Sequence, residues 1–127
     1  MMKPLLSALA VAMGLVAGAA QAQSQGVSKD EILVGSIQDL SGPIAAFGKA
    51  TRQGMVLRVE EINEQGGING RKINLITYDD AYSPPKTVEQ TRKLVESDEV
   101  AFLFGPLGTP GIGATINIKT ARPLENP

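Results

Sequence analysis

The chain has 127 residues, no Cys, no His and no Trp, and a formal net charge of −1. Without Cys or His it can assemble no disulfide framework, no Ser–His or Cys–His nucleophile pair and no zinc site of the usual kind. The near balance of charge gives no reason to expect nucleic acid or an anionic membrane surface as a partner.

In chain order, Met1 to Ala22 reads as an export signal, not as part of the fold. Lys3 supplies the positive start, Leu5 to Ala20 forms an Ala/Leu/Val/Gly-rich apolar stretch, and Ala20-Gln21-Ala22 is a small-x-small cleavage site after Ala22. Residues 23–127 are then the mature chain, about 105 residues, enough for one modest core. No Cys follows the leader to carry a lipid, so the expected product is free and periplasmic, not a lipoprotein.

Ser28-Lys29-Asp30-Glu31 has the form of a capping box, but the strand-like ILVG follows it, so it reads as a turn into the first strand. Ile32, Leu33, Val34 and Ile37 make a short apolar run of the kind covered on both faces in a parallel sheet. Ser41-Gly42-Pro43 breaks the chain, and a helix is predicted from about Ala45 to Gln65, with Met55, Val59 and Ile62 on one stripe. Gly66 suits the left-handed position that ends a helix, and Asn69-Gly70 is a strong turn pair. Lys72 to Asp79 alternates as a second strand, giving a β-α-β unit with a right-handed crossover. Asp79-Asp80 could do acid/base work, hold a cation or cap the following turn; no partner ligand or nucleophile accompanies the pair.

Ser83 at the N-cap and Pro84 at the first helical position start the next helix. It is predicted to run to about Ser97, with Val88, Thr91, Leu94 and Val95 inward. Val100 to Phe104 reads as a third strand buried on both faces, followed by the loop Gly105-Pro106-Leu107-Gly108-Thr109-Pro110. The order β-α-β-α-β, with Gly-bearing loops after strands one and three, is half of a doubly wound domain. A further helix from Gly111 to Lys119 is poorly encoded, and Ala121 to Pro127 gives no element.

Neither GxGxxG after the first strand nor GxxxxGK[ST] is present, so the common phosphate loops are missing. What remains is a binding rim: N–H groups at Gly42, Gly105, Gly108 and the helix starts, hydroxyls at Ser41 and Thr109, and one aromatic, Phe47. Such a set can hold a small carboxylate without a basic side chain.

Four stretches together, LSGPIAAFG, VEEINEQGGINGRKI, YDDAYSPPKTV and FLFGPLGTP, resemble the branched-chain amino-acid (Leu/Ile/Val) binding proteins, solute receptors of ABC importers. The resemblance implies a type I periplasmic binding protein fold: an N-terminal Rossmann-like lobe with a parallel sheet, incomplete here, the second lobe being absent. It implies that Phe47 touches the solute side chain and that Thr109, with Leu107 and Gly108 beside it, holds the solute's head groups; Ser41 belongs to the same rim. It further implies amino-acid-like solutes, ABC permease subunits as partners, a monomer, no cofactor and no catalysis. Where some relatives join the YDDA turn to the loop after the third strand by a disulfide, this chain has Tyr82 and Gly108, which must pack instead.

Relatives of this kind are about three times as long, and TARPLENP resembles a cleft loop that arrives roughly ten residues early. The expectation is therefore a truncated or internally deleted receptor, with an exposed third-strand edge prone to association. Two other readings stay open: an exported one-lobe solute sensor, and a hydrolase using Asp79 and Asp80.

Overall fold

The structure is a computed structural model and describes residues 24–111 and 113. The expected leader at 1–22 and the TARPLENP stretch lie outside the described residues. A three-stranded parallel sheet of order β2-β1-β3 is formed by β1 (Glu31–Gln38), β2 (Lys72–Asp79) and β3 (Phe102–Leu103). Helix α1 (Ala45–Glu64) joins β1 to β2, and α2 (Pro84–Arg92), continued by a π-helical turn over Lys93–Ser97, joins β2 to β3. The two connections lie on opposite faces of β1. Ser36 Oγ reaches Met55 Sδ of α1 (3.9 Å), whereas a Cβ on Gly35 would stand 3.1 Å from Leu94 beyond α2. This is the doubly wound arrangement expected from the element order.

Local chemistry explains the boundaries. Ser28 Oγ accepts the Asp30 and Glu31 N–H groups, making the turn that feeds β1. At the end of α1 the Gly67 N–H donates to Ile62 O (2.8 Å) and the Gly66 N–H to Asn63 O (3.2 Å), with Gly66 at φ 101°. That paired pattern is a Schellman stop, and it needs the left-handed residue that glycine supplies. Asn63 then turns its amide onto the backbone of Ile73, accepting from its N–H (2.7 Å) and donating to its carbonyl (2.8 Å), which occupies the outer edge of β2. The apolar core is small: Ile37, Leu94 and Val100, with Leu33, Ile76, Tyr78 and Leu103 against it.

Ser83 occupies the N-cap of α2 with Pro84 behind it, as expected, although its side chain makes no capping bond. Two other sequence expectations need correction. The helix expected to reach Ser97 changes to π-helical winding after Arg92, and Thr87 is buried together with Thr91 and Leu94. The third strand shrinks from Val100–Phe104 to Phe102–Leu103, and Phe102 and Phe104 are 52% and 54% exposed instead of buried. An apolar run specifies a strand, but its burial requires a neighbour, and among the described residues β3 has only β1.

Candidate functional site

In a parallel sheet the loops that leave adjacent strands share one edge, and here those loops are residues 39–44 after β1 and 104–109 after β3. Two carboxylates, Asp39 and Asp79, shape the first of them, and a third, Asp80, shapes the turn after β2. Asp39, buried, accepts the N–H of Gly42 through Oδ1 and the N–H of Ile44 through Oδ2 (2.9 Å). Asp79 accepts the Leu40 N–H (2.8 Å), the Ser41 hydroxyl (2.5 Å) and the Ala81 N–H (2.9 Å). Burial pushes the Asp79 carboxyl up, but those three donors and the nearby charge of Lys86 outweigh it and hold it below the ordinary aspartate value. Asp80, fully buried, accepts the Tyr82 N–H (2.9 Å) and the Thr87 hydroxyl (2.6 Å). Both members of the Asp79–Asp80 pair are therefore committed to capping, the turn-forming role of the two weighed from sequence.

Ser41 is exposed, but its hydroxyl donates to Asp79, so it braces the loop before it can offer anything outward. Gly42, expected to present a free N–H, gives it to Asp39. Phe47 stands in the first turn of α1 and is 70% exposed, which excludes a core role for its ring. Gly48 lets this turn sit directly on β1's exit: a Cβ there would lie 1.8 Å from the Asp39 carbonyl oxygen.

The second loop is anchored by main chain and packing. The Phe104 N–H donates to Gly35 O (2.8 Å) and the Leu107 N–H to Ile37 O (3.0 Å). Gly108, at φ 84°, lies under the Tyr82 ring, and a Cβ on it would stand 2.4 Å from Tyr82 Cε2. Tyr82 and Gly108 thus pack together, as a chain without Cys requires. Residues 108–111 turn into a helix, and Thr109 is exposed at its start. The Gly105 and Gly108 N–H groups and the Thr109 hydroxyl have no bonding partner among the described residues. The rim therefore offers neutral donors on its β3 side and an exposed ring on its α1 side, with no basic side chain among Ser41, Phe47, Leu107, Gly108 and Thr109.

Sequence reasoning missed Asp39 and Gln38. The first carries a readable signal, an Asp three residues before a loop glycine. The second, fully buried with its amide on Gly105 O, carries none. A separate cavity of about 330 Å³ opens at the other end of β1, lined by residues 24–28 with Glu31, Leu33, Asp98 and Glu99. Its three carboxylates repel an anionic solute, so its size does not make it the better site.

A family model described as "Periplasmic binding protein" matches residues 31–122. The chain belongs to the periplasmic binding protein family. It is 38% identical over 138 aligned positions to the Leu/Ile/Val-binding protein homolog 7 of Brucella suis, covering 95% of this chain and 33% of that protein. Among solved structures it is similar to a fatty acid ABC transporter substrate-binding protein from Thermomonospora curvata (TM-score 0.68, 32% identity, 76% of this chain, 24% of that one). It is also similar to the branched-chain amino acid transporter substrate binding protein LivJ from Streptococcus pneumoniae in complex with isoleucine (TM-score 0.67, 31% identity, 72% and 26%). The fold is accordingly that of the type I periplasmic binding proteins. The chain spans about a quarter to a third of the length of these relatives.

Proposed function

We propose that this chain forms one wall of the solute site of an exported, periplasmic receptor that hands small solutes to the permease of an ABC transporter. The solutes are amino acids or related acids: a carboxylate on an apolar body. The rim carries this reading. The Gly105 and Gly108 N–H groups and the Thr109 hydroxyl, without partners among the described residues, suit a carboxylate, and the ring of Phe47, exposed in the first turn of α1, suits an apolar tail. Isoleucine and fatty acids, named with two of the relatives, share that chemistry. Binding is the reading favoured over hydrolysis by the Asp79–Asp80 pair, since both carboxylates serve as turn caps. Export rests on the leader at 1–22, cut after Ala22, and the working unit is a monomer without a lipid anchor.

A closed receptor site covers about 70–90% of a small solute. One wall leaves much of that surface wet. Calorimetry of this chain with L-leucine is expected to give no saturable binding in the millimolar range, and micromolar affinity would contradict the one-wall reading.

A further inference from the structure

We infer that Gln38 is a positioning residue for the β3 side of the rim: its side-chain amide sets where the loop from Phe104 to Thr109 stands relative to the loop after β1. Gln38 is the last residue of β1 and is fully buried. Its Nε2 donates to Gly105 O (2.6 Å) and to Ser36 Oγ (2.9 Å), and the Ser36 hydroxyl in turn reaches Met55 Sδ (3.9 Å). One amide therefore joins the central strand, α1 and a loop 67 residues away. Gly105 turns its carbonyl to that amide from a left-handed conformation, φ 56°, while a Cβ there would meet only Met55 Sδ, at 3.5 Å. The backbone angle, not a lack of space, makes that position a glycine.

The other half of the amide shows what the residue is for. Gln38 Oε1 is buried and has no hydrogen-bond partner among the described residues. An unpaired buried acceptor offsets much of what the two Nε2 bonds contribute, so the amide is a poor device for stability. A methionine of the same length would fill the space without an orphan. What methionine lacks is a directed donor for Gly105 O. That bond lies between the Phe104–Gly35 and Leu107–Ile37 main-chain bonds, in the part of the sheet where β3 supplies only two residue pairs. The consequence for solute rests on the proposed function, since Gly108 and Thr109 hang from this loop. The anchoring itself is measured without solute, so failure here and failure of the solute reading are separate results.

The test is amide hydrogen exchange and thermal unfolding of the 127-residue chain carrying Gln38→Met or Gln38→Glu. In Gln38→Met the Phe104 and Leu107 amides are expected to lose protection by about tenfold or more while Ile76 in β2 and Thr91 in α2 change by less than about twofold. The unfolding temperature stays level or rises. Gln38→Glu adds a readout that a filler residue would not move. Protonated, its carboxyl O–H can donate to Gly105 O and keep Leu107 protected; ionised, it faces a carbonyl and protection falls, so the Leu107 protection factor follows the titration of that carboxyl. Equal losses at all four amides overturn the assignment, as does unchanged protection at Leu107. An unfolded Gln38→Met chain overturns it too, because a residue needed for folding is a core strut.

Discussion

β1 has two parallel neighbours, and they are held to it by different means. β2 pairs with it over eight residues, from Glu31↔Lys72 to Gln38↔Asp79, and its far edge is occupied by Asn63. β3 pairs over two, Val34↔Phe102 and Gly35↔Leu103, and Phe102 and the residue just past the strand, Phe104, are half-exposed. The loops above these pairs differ in the same sense. Around β1 and β2, Asp39, Asp79 and Asp80 cap turns within a few residues or across one strand pair. Above β3 the loop depends on Gln38, on two main-chain bonds and on Tyr82 over Gly108, contacts that close long stretches of chain. A rim built this way has one stiff side and one side whose placement is tertiary, and the donors without partners among the described residues sit on the second. Loops that must meet a solute are commonly drawn from the less stable parts of a fold.

That contrast can be broken at its stiff side first. Gly48→Ala drives a Cβ against the main-chain carbonyl of Asp39 at 1.8 Å, in the first turn of α1. Urea unfolding is expected to show a loss of about 3 kcal/mol or more, at the top of the range for overpacking. A loss below about 1 kcal/mol would mean that α1 shifts freely and that the stiff side is not stiff.

Acid provides a second, smaller test of the same side. Asp79 has its folded-state pKa held below its unfolded value, so its contribution is fully present above the unfolded value and disappears as pH falls through the folded one. Stability should therefore drop on acidification below the ordinary aspartate range. Asp79→Asn should flatten part of that drop while costing about 1 kcal/mol at neutral pH, through the weakened bonds from Leu40, Ser41 and Ala81. An unchanged acid profile in Asp79→Asn would assign the capping to other groups.

The smallest effect on stability belongs to the open side. Phe104→Ser alters a half-exposed ring and is expected to stay within about 0.5 kcal/mol in unfolding. Sedimentation should instead show less self-association, since an apolar face on an edge strand invites pairing between copies. Equal association of both chains would mean that the Phe104 face is not what draws them together.

The stiff side was also the legible one. The first strand, the glycine stop of α1, KINLITYD and the Ser83-Pro84 start of α2 are written in periods and turn residues a few positions apart, and each was found within a residue or two. The Asp79–Asp80 pair was readable as caps for the same reason. On the open side, VAFLF reads as a doubly buried strand because local sequence gives apolarity but not neighbours, and half of that burial is missing. The N–H expected to be free at Gly42 goes to Asp39, an acceptor three residues upstream. Gln38 left no trace at all, because its partner is decided by how β3 returns beside β1.

The central claim is that the loops after β1 and β3 make one solute-facing rim. Its most direct test is a titration of the isotopically labelled chain with L-leucine, followed by amide chemical shifts into the tens of millimolar, where a weak one-wall contact is visible. The account predicts concentration-dependent shifts in Leu40 to Gly48 and in Leu107 to Thr109 together, with the cavity beside Ser24 to Ser28 unmoved. Shifts at that cavity, or at only one of the two loops, would contradict it.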